Sequence, residues 1–397
     1  MLSRWEFQIP TRIHFGRGTL RKLGSIAKPF GRSALLVGYR DRTELEETYD
    51  RAAHSLSKAG MTVTKFFEIP PDPDAELATQ GVQCARQAAA DVVIGLGGGS
   101  PIDAAKGIAA LAKMGGELWD YAGSNPNFQP VTDSLPLIAV PTTSGTGTEL
   151  TAVAVFNHHG IGSQPEFPLK ASINGPAVLP KVALIDPDLT IGSPARLTAA
   201  CGADALGHAI EACMSRRANP FSTALAGRAV ALIVEHLPWA VEKPDDPEPR
   251  EPLALASTLA GAAFSASSVV MTHSIAHALG ALLHVPHGEA IAAATPLNLR
   301  YNAEVCHDVY CQLAQHCEIT ADTPQQQSWL FVECIIELLQ SVGLPDRIRV
   351  PDDAPKDLAA KLAHNAVEST LKPLEWNPRD INETTLKELF EELLEAA

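Results

Sequence analysis

Short apolar runs alternate with helical periodicities through the first half of the chain. Runs rich in aliphatic and β-branched residues predict strands at 33–39, 61–69, 91–100, 135–145 and 181–187. Amphipathic segments between them, such as 74–90 and 101–113, predict helices. Strands that alternate with helices form a mostly parallel sheet covered on both faces. The opening stretch 5–16 has a period of two and predicts a hairpin at the sheet edge.

The pattern changes after residue 186. From about residue 195 the chain is rich in Ala and Leu, and strand signals are few. Helices are predicted at 196–217, 221–241, 251–283, 303–318, 325–342, 355–370 and 382–397, with a proline-broken linker at 242–252. We therefore predict an α/β N-terminal domain at 1–186 and an all-α C-terminal domain at 187–397.

The composition is that of a globular protein and narrows the possible function classes. Hydrophobic residues make up 46% of the 397 residues, charged residues 19%, and the formal net charge is -15. A chain this acidic lacks the basic surface with which proteins bind nucleic acid or anionic membranes. Seven cysteines without a CxxC pair indicate reduced thiols. We find no signal-peptide pattern and no uncharged apolar run of roughly 18 residues, and we expect a cytoplasmic protein with small-molecule partners.

A glycine-rich turn follows the third predicted strand. Gly97, Gly98, Gly99 and Ser100 lie between that strand and a helix that opens with Pro101. Glycines let the backbone approach a ligand closely, and a helix N-terminus offers free N–H groups to a pyrophosphate. The GxGxxG spacing is absent, and a plain strand-to-helix turn is the alternative.

A second loop, 141–149, follows the next predicted strand and carries hydroxyl groups. Its hydroxyl side chains are Thr142, Thr143, Ser144, Thr146 and Thr148. Alone, such a stretch is often just a loop. Two such loops after two strands of one sheet indicate a nucleotide-binding crevice.

Histidines cluster in an apolar part of the second half, where core packing does not require them. The cluster comprises Asp204, His208, His273, His277 and His287. The spacing of the first two, and of the next two, places each pair on one face of a helix. A single histidine on an apolar helix is usually a core residue. A carboxylate with several imidazoles, drawn from two helices and a loop, instead indicates a site for a divalent first-row metal.

Three other histidines are left out of this cluster. His284 lies between its members and is expected to be structural or to support a ligand. His158 and His159 precede a glycine in a polar stretch and are expected to be solvated.

Motifs along nearly the whole chain resemble the iron-containing (group III) alcohol dehydrogenases, fold relatives of glycerol dehydrogenase and dehydroquinate synthase. The matching motifs lie at 9–20, 95–107, 141–149, 174–190, 197–212, 263–288 and 377–381. The resemblance implies a nucleotide-binding α/β domain followed by a helical metal-binding and substrate domain. It also implies an NAD(P)-linked alcohol dehydrogenase or aldehyde reductase.

The resemblance assigns site residues position by position. The implied ligands of Fe²⁺ are Asp204, His208, His273 and His287, and His277 matches a histidine given a proton-relay role beside the nicotinamide. The implied cofactor positions are Gly97, Gly98, Ser100, Asp103, Thr142, Thr143, Thr146 and Lys170, to which the glycine pattern adds Gly99. The implied substrate-pocket positions are Phe264 and Ala152. The metal would act as a Lewis acid while hydride moves between the substrate and C4 of the nicotinamide.

One departure from the family concerns cofactor choice. Many members end the first strand of the nucleotide domain with an Asp that holds the ribose hydroxyls, whereas Gly38, Tyr39 and Arg40 stand here. Without that carboxylate a 2′-phosphate is not repelled, and Arg40 could pair with it. Alternatively Arg40 points to solvent and Asp41 binds the ribose. NAD and NADP therefore both stay open.

Three alternative functions fit the sequence less well than an alcohol dehydrogenase. A dehydroquinate-synthase-like lyase would need Lys or Arg around a phosphorylated substrate, and 262–287 holds none. In a maleylacetate-reductase-like enzyme, which works without a metal, the corresponding motif has no aspartate. This chain has Asp204 at that position, which argues against such an enzyme. A non-enzymatic metal-binding protein would leave the two loops without a purpose. The ligand types do not separate Fe²⁺ from Zn²⁺, and we expect a homo-oligomer, with a dimer formed through the N-terminal edge.

Overall fold

The computed structural model describes residues 4–159, 168–351 and 354–396. Its first half contains the strands β1 (Arg12–Phe15), β2 (Ser33–Tyr39), β3 (Thr62–Ile69), β4 (Val92–Gly97), β5 (Leu137–Pro141), β6 (Val153–His158), β7 (Leu169–Asn174) and β8 (Val182–Ile185). The helices of this half are α1 (Leu23–Ala27), α2 (Glu46–Lys58), α3 (Ala75–Gln87) and α4 (Gly99–Met114).

A six-stranded parallel sheet with the order β1-β8-β5-β4-β2-β3 forms the centre of this half. Every residue of β4, β5 and β8 is buried. Unbroken apolar runs of this kind are typical of strands that helices cover on both faces. The predicted parallel sheet and its five predicted strands are confirmed.

The predicted N-terminal hairpin is wrong. β1 pairs in parallel with β8, from Arg12 beside Val182 to Phe15 beside Ile185, and residues 4–11 form no strand. A period of two indicates a half-buried strand without identifying its partner, so the distant β8 was not predictable from it. β6 and β7, which pair antiparallel outside the main sheet, were also not predicted.

The second half of the chain is helical. Its elements are α5 (Ala195–Met214), α6 (Pro220–Glu242), α7 (Arg250–Ser267), α8 (Met271–Leu283), α9 (His287–Tyr301), α10 (Ala303–His316), α11 (Pro324–Ser341), β9 (Ile348–Val350), α12 (Leu358–Glu375), α13 (Glu383–Leu393) and β10 (Leu394–Ala396). The domain boundary predicted at residue 186 lies just after β8.

Three helix predictions differ from the structure. The single helix predicted at 251–283 is two helices, α7 and α8, which meet at 104° after Ser268 takes a φ of 93°. His287, predicted in a loop, is the first residue of α9, because Pro286 can precede a helix without interrupting its hydrogen bonds. The helix predicted at 382–397 ends at Leu393, where the chain turns into β10 and pairs with β9.

By length and composition alone α6 could cross a membrane, although the sequence contains no uncharged run of that length. Arg228 and Glu235 lie within this helix, and 44% of its most apolar 18-residue stretch is buried. It packs on α5 and α7 in the helical core. Because the core helix of a globular protein passes the same test, α6 is only weak evidence for a membrane span.

The sheet register brings the two predicted loops together. Gly97 pairs with Pro141, so β4 and β5 end at the same level and their loops emerge side by side. The second loop also packs closely on α7, since a Cβ atom at Gly147 would lie 2.6 Å from the Cα atom of Gly261. A Cβ atom at Gly145, in the same loop, would lie 3.0 Å from the Cα atom of Cys201 on α5. The carboxyl edge of the sheet therefore faces α5, which carries Asp204 and His208 of the histidine cluster.

Candidate metal and cofactor site

Three helices bring the predicted ligand residues to one point. Asp204 and His208 lie one turn apart on α5, His273 lies in the first turn of α8, and His287 begins α9. From Oδ1 of Asp204 the distances are 3.5 Å to Nδ1 of His208, 3.6 Å to Nε2 of His273 and 3.4 Å to Nε2 of His287. The four side chains surround a single small space.

Three of the atoms that face this space have no hydrogen-bond partner in the part of the chain that the structure describes. Oδ1 of Asp204, Nδ1 of His208 and Nε2 of His273 are buried and make no hydrogen bond among the described residues. Asp204, His208 and His273 each offer one ligand atom, and these atoms lie within 4.8 Å of one another. Buried polar atoms without partners carry a free-energy cost, which a shared cation removes. The residues present therefore fit a divalent metal ion, with the 26% exposed side chain of His287 on the open side.

Burial and charge act in opposite directions on the pKa values of the cluster. Burial alone would raise the pKa of Asp204, but the imidazoles of His208 and His287 hold it well below its ordinary value. Burial lowers the pKa of His208 to about 3. It would also lower the pKa of His273, but Glu211 and Asp204 raise that pKa to about 9. The two carboxylates therefore favour a positive charge at this point, which a cation can supply.

His277 lies one turn further along α8 and borders the cluster. Its ring centroid is 5.7 Å from that of His287, and its Nδ1 atom is buried without a hydrogen-bond partner among the described residues. Burial, with the nearby charges of His287 and Lys170, lowers its pKa well below the ordinary value. His277 is thus a neutral imidazole at the edge of the predicted metal site.

Of the two predicted substrate-pocket residues, Phe264 contacts the histidine cluster, whereas Ala152 is placed by a backbone contact at the start of β6. The ring of Phe264 stacks on His208 with centroids 4.2 Å apart and planes 12° apart. It therefore forms an apolar wall beside a predicted ligand. Ala152 lies just before β6, half-buried, with its carbonyl accepting from the N–H of Gly175 at 3.0 Å.

The glycine loop joins the end of β4 to the start of α4, as the sequence predicts. Gly97 has a φ of 145°, a conformation that favours glycine, and α4 begins at Gly99 with Gly98 as its N-cap. Tyr39, at the end of β2, places its hydroxyl against the backbone of Gly98 and the side chain of Ser100. Burial raises the pKa of this tyrosine above its ordinary value. A pyrophosphate at this loop would therefore meet Tyr39.

The neighbours of Tyr39 face other groups. Arg40 forms an exposed ion pair with Glu68, with Nε and Oε2 3.2 Å apart. Asp41 accepts from the N–H and the hydroxyl of Thr43. Both arrangements leave Tyr39 as the residue of this segment that contacts the glycine loop.

Asp103, predicted to bind cofactor, uses its carboxylate inside the protein. It accepts from the hydroxyl of Thr148 at 2.5 Å and from the N–H of Val155 at 2.9 Å. The buried ammonium group of Lys106 donates to Thr148 at 2.6 Å and to Thr151 at 3.1 Å. Asp103 and Lys106 thereby tie the helix after the first loop to the second loop.

The remaining cofactor positions line the same edge of the sheet. The N–H of Thr142 donates to the carbonyl of Gly97 at 2.8 Å, which joins the two loops directly. Thr143 lies opposite Gly98, and Thr146 opposite Gly99. A cavity beside the second loop is lined by Thr143, Ser144, Thr190, Leu197, Cys201 and Arg250. The hydroxyl-rich loop therefore borders both the glycine loop and an adjoining cavity.

Lys170 connects β7 to the glycine loop through Asp72. Its ammonium group donates to Oδ1 of Asp72 at 2.7 Å, and the N–H of Asp72 donates to the hydroxyl of Ser100 at 3.1 Å. Lys170 also approaches Gly280 on α8, where an added Cβ would lie 3.0 Å from its Cε atom. It thus stands between the glycine loop and the helix of His277.

The histidines outside the cluster behave differently from one another. His284 ends α8 with a φ of 55° and is exposed. His158, predicted in a solvated loop, is instead buried at the end of β6 and stacks on Trp119 with centroids 4.0 Å apart. His159 is exposed and pairs with Asp74, and Gly160 lies outside the described residues.

The sequence prediction missed Glu211. This residue follows Asp204 by two helical turns on α5, is fully buried and contacts His273 through Nδ1. Its spacing from Asp204 and His208 was the signal that could have identified it.

The comparisons with known proteins cover the whole site. The family model described as iron-containing alcohol dehydrogenase matches residues 10–187, and the model described as Fe-containing alcohol dehydrogenase family, C-terminal, matches residues 198–394. The chain is 31% identical to an NADPH-dependent butanol dehydrogenase of Clostridium saccharobutylicum, covering 97% of each chain. It is 34% identical to a 1-propanol dehydrogenase of Salmonella typhimurium, covering 98% of this chain and 99% of the relative.

Solved structures of alcohol and propanediol oxidoreductases are similar to this chain over nearly its whole length. An archaeal halo-thermophilic alcohol dehydrogenase from a Red Sea brine pool superposes with a TM-score of 0.91 at 29% identity, covering 99% of this chain and 100% of that one. A 1,3-propanediol oxidoreductase superposes with a TM-score of 0.88 at 30% identity, covering 98% and 100%.

Proposed function

The chain belongs to the iron-containing alcohol dehydrogenase family, and on that premise we propose which residues, metal, cofactor and substrates serve its reaction. The protein is an NAD(P)-linked alcohol dehydrogenase, which moves hydride between an alcohol or aldehyde and the nicotinamide. Its site requires a metal and a nicotinamide cofactor.

We propose that Asp204, His208, His273 and His287 hold a single Fe²⁺ ion. The observation that carries this proposal is the convergence of three buried atoms, one from each of the first three residues, that have no hydrogen-bond partner among the described residues. The bound metal supplies a Lewis acid that polarises the substrate oxygen. Iron is preferred to Zn²⁺ on family membership, because the ligand types suit both ions.

The dinucleotide is proposed to lie over the carboxyl edge of the sheet. Gly97, Gly98, Gly99 and Ser100 would receive the pyrophosphate at the N-terminus of α4, where free N–H groups and the helix dipole favour an anion. Thr142, Thr143, Thr146 and Lys170 border the same edge, with Asp103 holding the second loop in place. The sheet edge would thereby present the nicotinamide to the histidine cluster.

We propose that the enzyme accepts NADPH. Tyr39 contributes no carboxylate at the glycine loop, so nothing at that position repels a 2′-phosphate. The NADPH dependence of the butanol dehydrogenase relative supports this reading. Arg40 would have to leave Glu68 to reach the phosphate, and their exposed ion pair is a weak obstacle.

His277 is proposed to move the proton of the reaction. A neutral imidazole beside His287 can accept a proton from the alcohol side and pass it on to water. Phe264, stacked on His208, and Ala152 are proposed to shape the substrate pocket.

Short primary alcohols and their aldehydes are the proposed substrates. Relatives named for butanol, 1-propanol and 1,3-propanediol support this class. We also propose a cytoplasmic homodimer that associates through the N-terminal edge. The exposed ring of Phe221 contacts Trp5 and Phe7, which precede β1 in the chain, and β1 is an edge strand of the sheet, a position suited to association.

The test is a set of aldehydes reduced with NADH or NADPH after the metal-free protein has been loaded with Fe²⁺ or Zn²⁺. We expect metal-dependent reduction of propanal and butanal. Replacement of exposed His159 by Ala serves as the matched control, since that histidine lies outside the site. Absence of metal-dependent reduction with every pair would overturn the proposal.

A further inference from the structure

Glu211 is a buried carboxylate that contacts a proposed metal ligand but not the metal position itself. It lies on α5 and is fully buried. Its Oε2 atom pairs with Nδ1 of His273, and its Oε1 atom accepts from the backbone N–H of Thr272 at 2.7 Å. Both carboxylate oxygens are therefore used at the start of α8.

We infer that Glu211 is a positioning residue, which sets the tautomer and the ring orientation of His273 for metal binding. This inference rests on the proposed metal site. A carboxylate can only accept, so Nδ1 of His273 must carry the proton. In the metal-bound form the lone pair for the metal would then be that of Nε2, an atom 3.6 Å from Oδ1 of Asp204 in the space shared by the ligands. A carboxylate behind a ligating imidazole also increases its basicity.

The same carboxylate joins the helices that present the ligands. Thr272 uses its N–H to reach Glu211 on α5 and its hydroxyl to accept from the side chain of Asn298 on α9 at 2.7 Å. α9 begins with His287. Glu211, Thr272 and Asn298 thus connect all three helices that carry proposed ligands, behind the ligand atoms.

The charges around His273 support the role of Glu211 as a positioning residue for the metal ligand. Glu211 and Asp204 are both buried, and His273 lies between them. Two buried carboxylates would repel each other without a cation to offset them. With a divalent ion bound by Asp204, Glu211 completes charge neutrality from behind His273.

Glu211→Gln separates this role from a purely structural one. Glutamine keeps the size of the side chain, and its amide oxygen can still accept from Thr272. Its amide nitrogen donates, so Nδ1 of His273 would have to accept and Nε2 would take the proton. In that tautomer Nε2 can bind a metal only after the proton has moved to Nδ1 and the hydrogen bond from the glutamine amide has been lost. Packing is retained, and metal binding is weakened.

The experiment measures the dissociation constants of Zn²⁺ and Co²⁺ by chelator competition with the full-length protein. We expect Glu211→Gln to weaken both by about 10–100-fold, the range found for partners of this kind. The thermal midpoint of the metal-free variant should remain close to that of the wild type. The matched control is Glu149→Gln, another buried carboxylate, which lies near Thr258 and should leave both constants unchanged. Constants for Glu211→Gln within about threefold of wild type, about 0.7 kcal/mol, would overturn the inference.

The metal stoichiometry of the wild type and the ¹⁵N spectra of its histidines separate failure of the metal site from failure of the role of Glu211. If the wild type binds no stoichiometric metal, the proposed metal site fails. If it binds metal but Glu211→Gln binds equally well, only the role of Glu211 fails. Should the variant not fold, ¹⁵N spectra of histidine-labelled, Zn²⁺-loaded wild type decide the question. A proton on Nδ1 of His273 supports the inference, and a proton on its Nε2 overturns it.

Discussion

The hydroxyl oxygen of Tyr39 lies 2.7 Å from the point that a Cβ atom at Gly98 would occupy. One residue ends β2 and the other caps α4, so neighbouring strands bring them together across the crevice. The side chain at the position associated with cofactor choice therefore touches the loop proposed for the pyrophosphate. Changes at either residue should alter cofactor binding while leaving the metal in place.

Tyr39→Asp should shift cofactor preference toward NADH. A carboxylate at this position accepts from the ribose hydroxyls and repels a 2′-phosphate, an effect of roughly 1–3 kcal/mol. The measurement is the ratio of kcat/KM for NADPH and NADH in both proteins. Tyr39→Phe, which removes only the hydroxyl, should not reverse the preference. A wild-type enzyme that ignores NADPH would contradict the prediction.

Gly98→Val should weaken cofactor binding without loss of metal. The branched side chain would enter the space held by the Tyr39 hydroxyl and cover the N–H groups that the pyrophosphate needs. We expect the dissociation constant of NADPH to rise about tenfold or more, at least 1.4 kcal/mol. Fluorescence titration of the cofactor checks this, with metal content measured in parallel. Unaltered cofactor affinity would rule out the proposed pyrophosphate position.

His273→Ala should abolish metal binding and activity together. The substitution removes Nε2, one of the three buried converging atoms, and leaves Glu211 buried without its imidazole partner. Metal content by mass spectrometry and aldehyde reduction provide the two readouts. His284→Asn is the matched control, because His284 is exposed and its left-handed backbone is tolerated by asparagine. A variant with full metal content and turnover would refute the ligand assignment.

His277→Gln should slow turnover while the metal stays bound. Loss of a positioned proton carrier costs about 10²–10⁴-fold in rate. We expect kcat to fall by that order and the dissociation constants of metal and cofactor to stay near wild type. Turnover within a few-fold of wild type would exclude a proton-transfer role for this histidine.

His158 should make stability depend on pH. Burial, with the neighbouring charge of His159, lowers its folded-state pKa, whereas the unfolded value is about 6.5. Below pH of about 6.5 the unfolded chain therefore binds a proton that the folded protein does not, and stability falls as the pH is lowered. His158→Phe, which can keep the stacking on Trp119, should lose this component. Thermal midpoints of both metal-free proteins between pH 8 and pH 5 test it, and a constant difference between them would contradict it.

Local sequence patterns determined much of the fold. Buried parallel strands such as β4 and β5 appear as unbroken apolar runs, because both faces are covered and no position needs to be polar. The pairing of Asp204 with His208 on one helix face was likewise readable, since a helix repeats about every four residues. The glycines before α4 indicated the loop, because close backbone approach and a left-handed φ both favour glycine there.

Tertiary structure decided what depends on contacts between distant residues. β1 pairs with β8 and not with a neighbouring hairpin strand, and the helical segment 250–283 is divided into α7 and α8 at Ser268. The hydrophobic periodicity of the sequence contains neither piece of information. His158 was buried by Trp119, far away in the chain. The sequence shows a glutamate at position 211, but its contact with His273 forms only when α5 and α8 pack against each other. A sequence pattern fixes which face of an element is apolar, whereas partners are chosen by the packing of whole faces against one another.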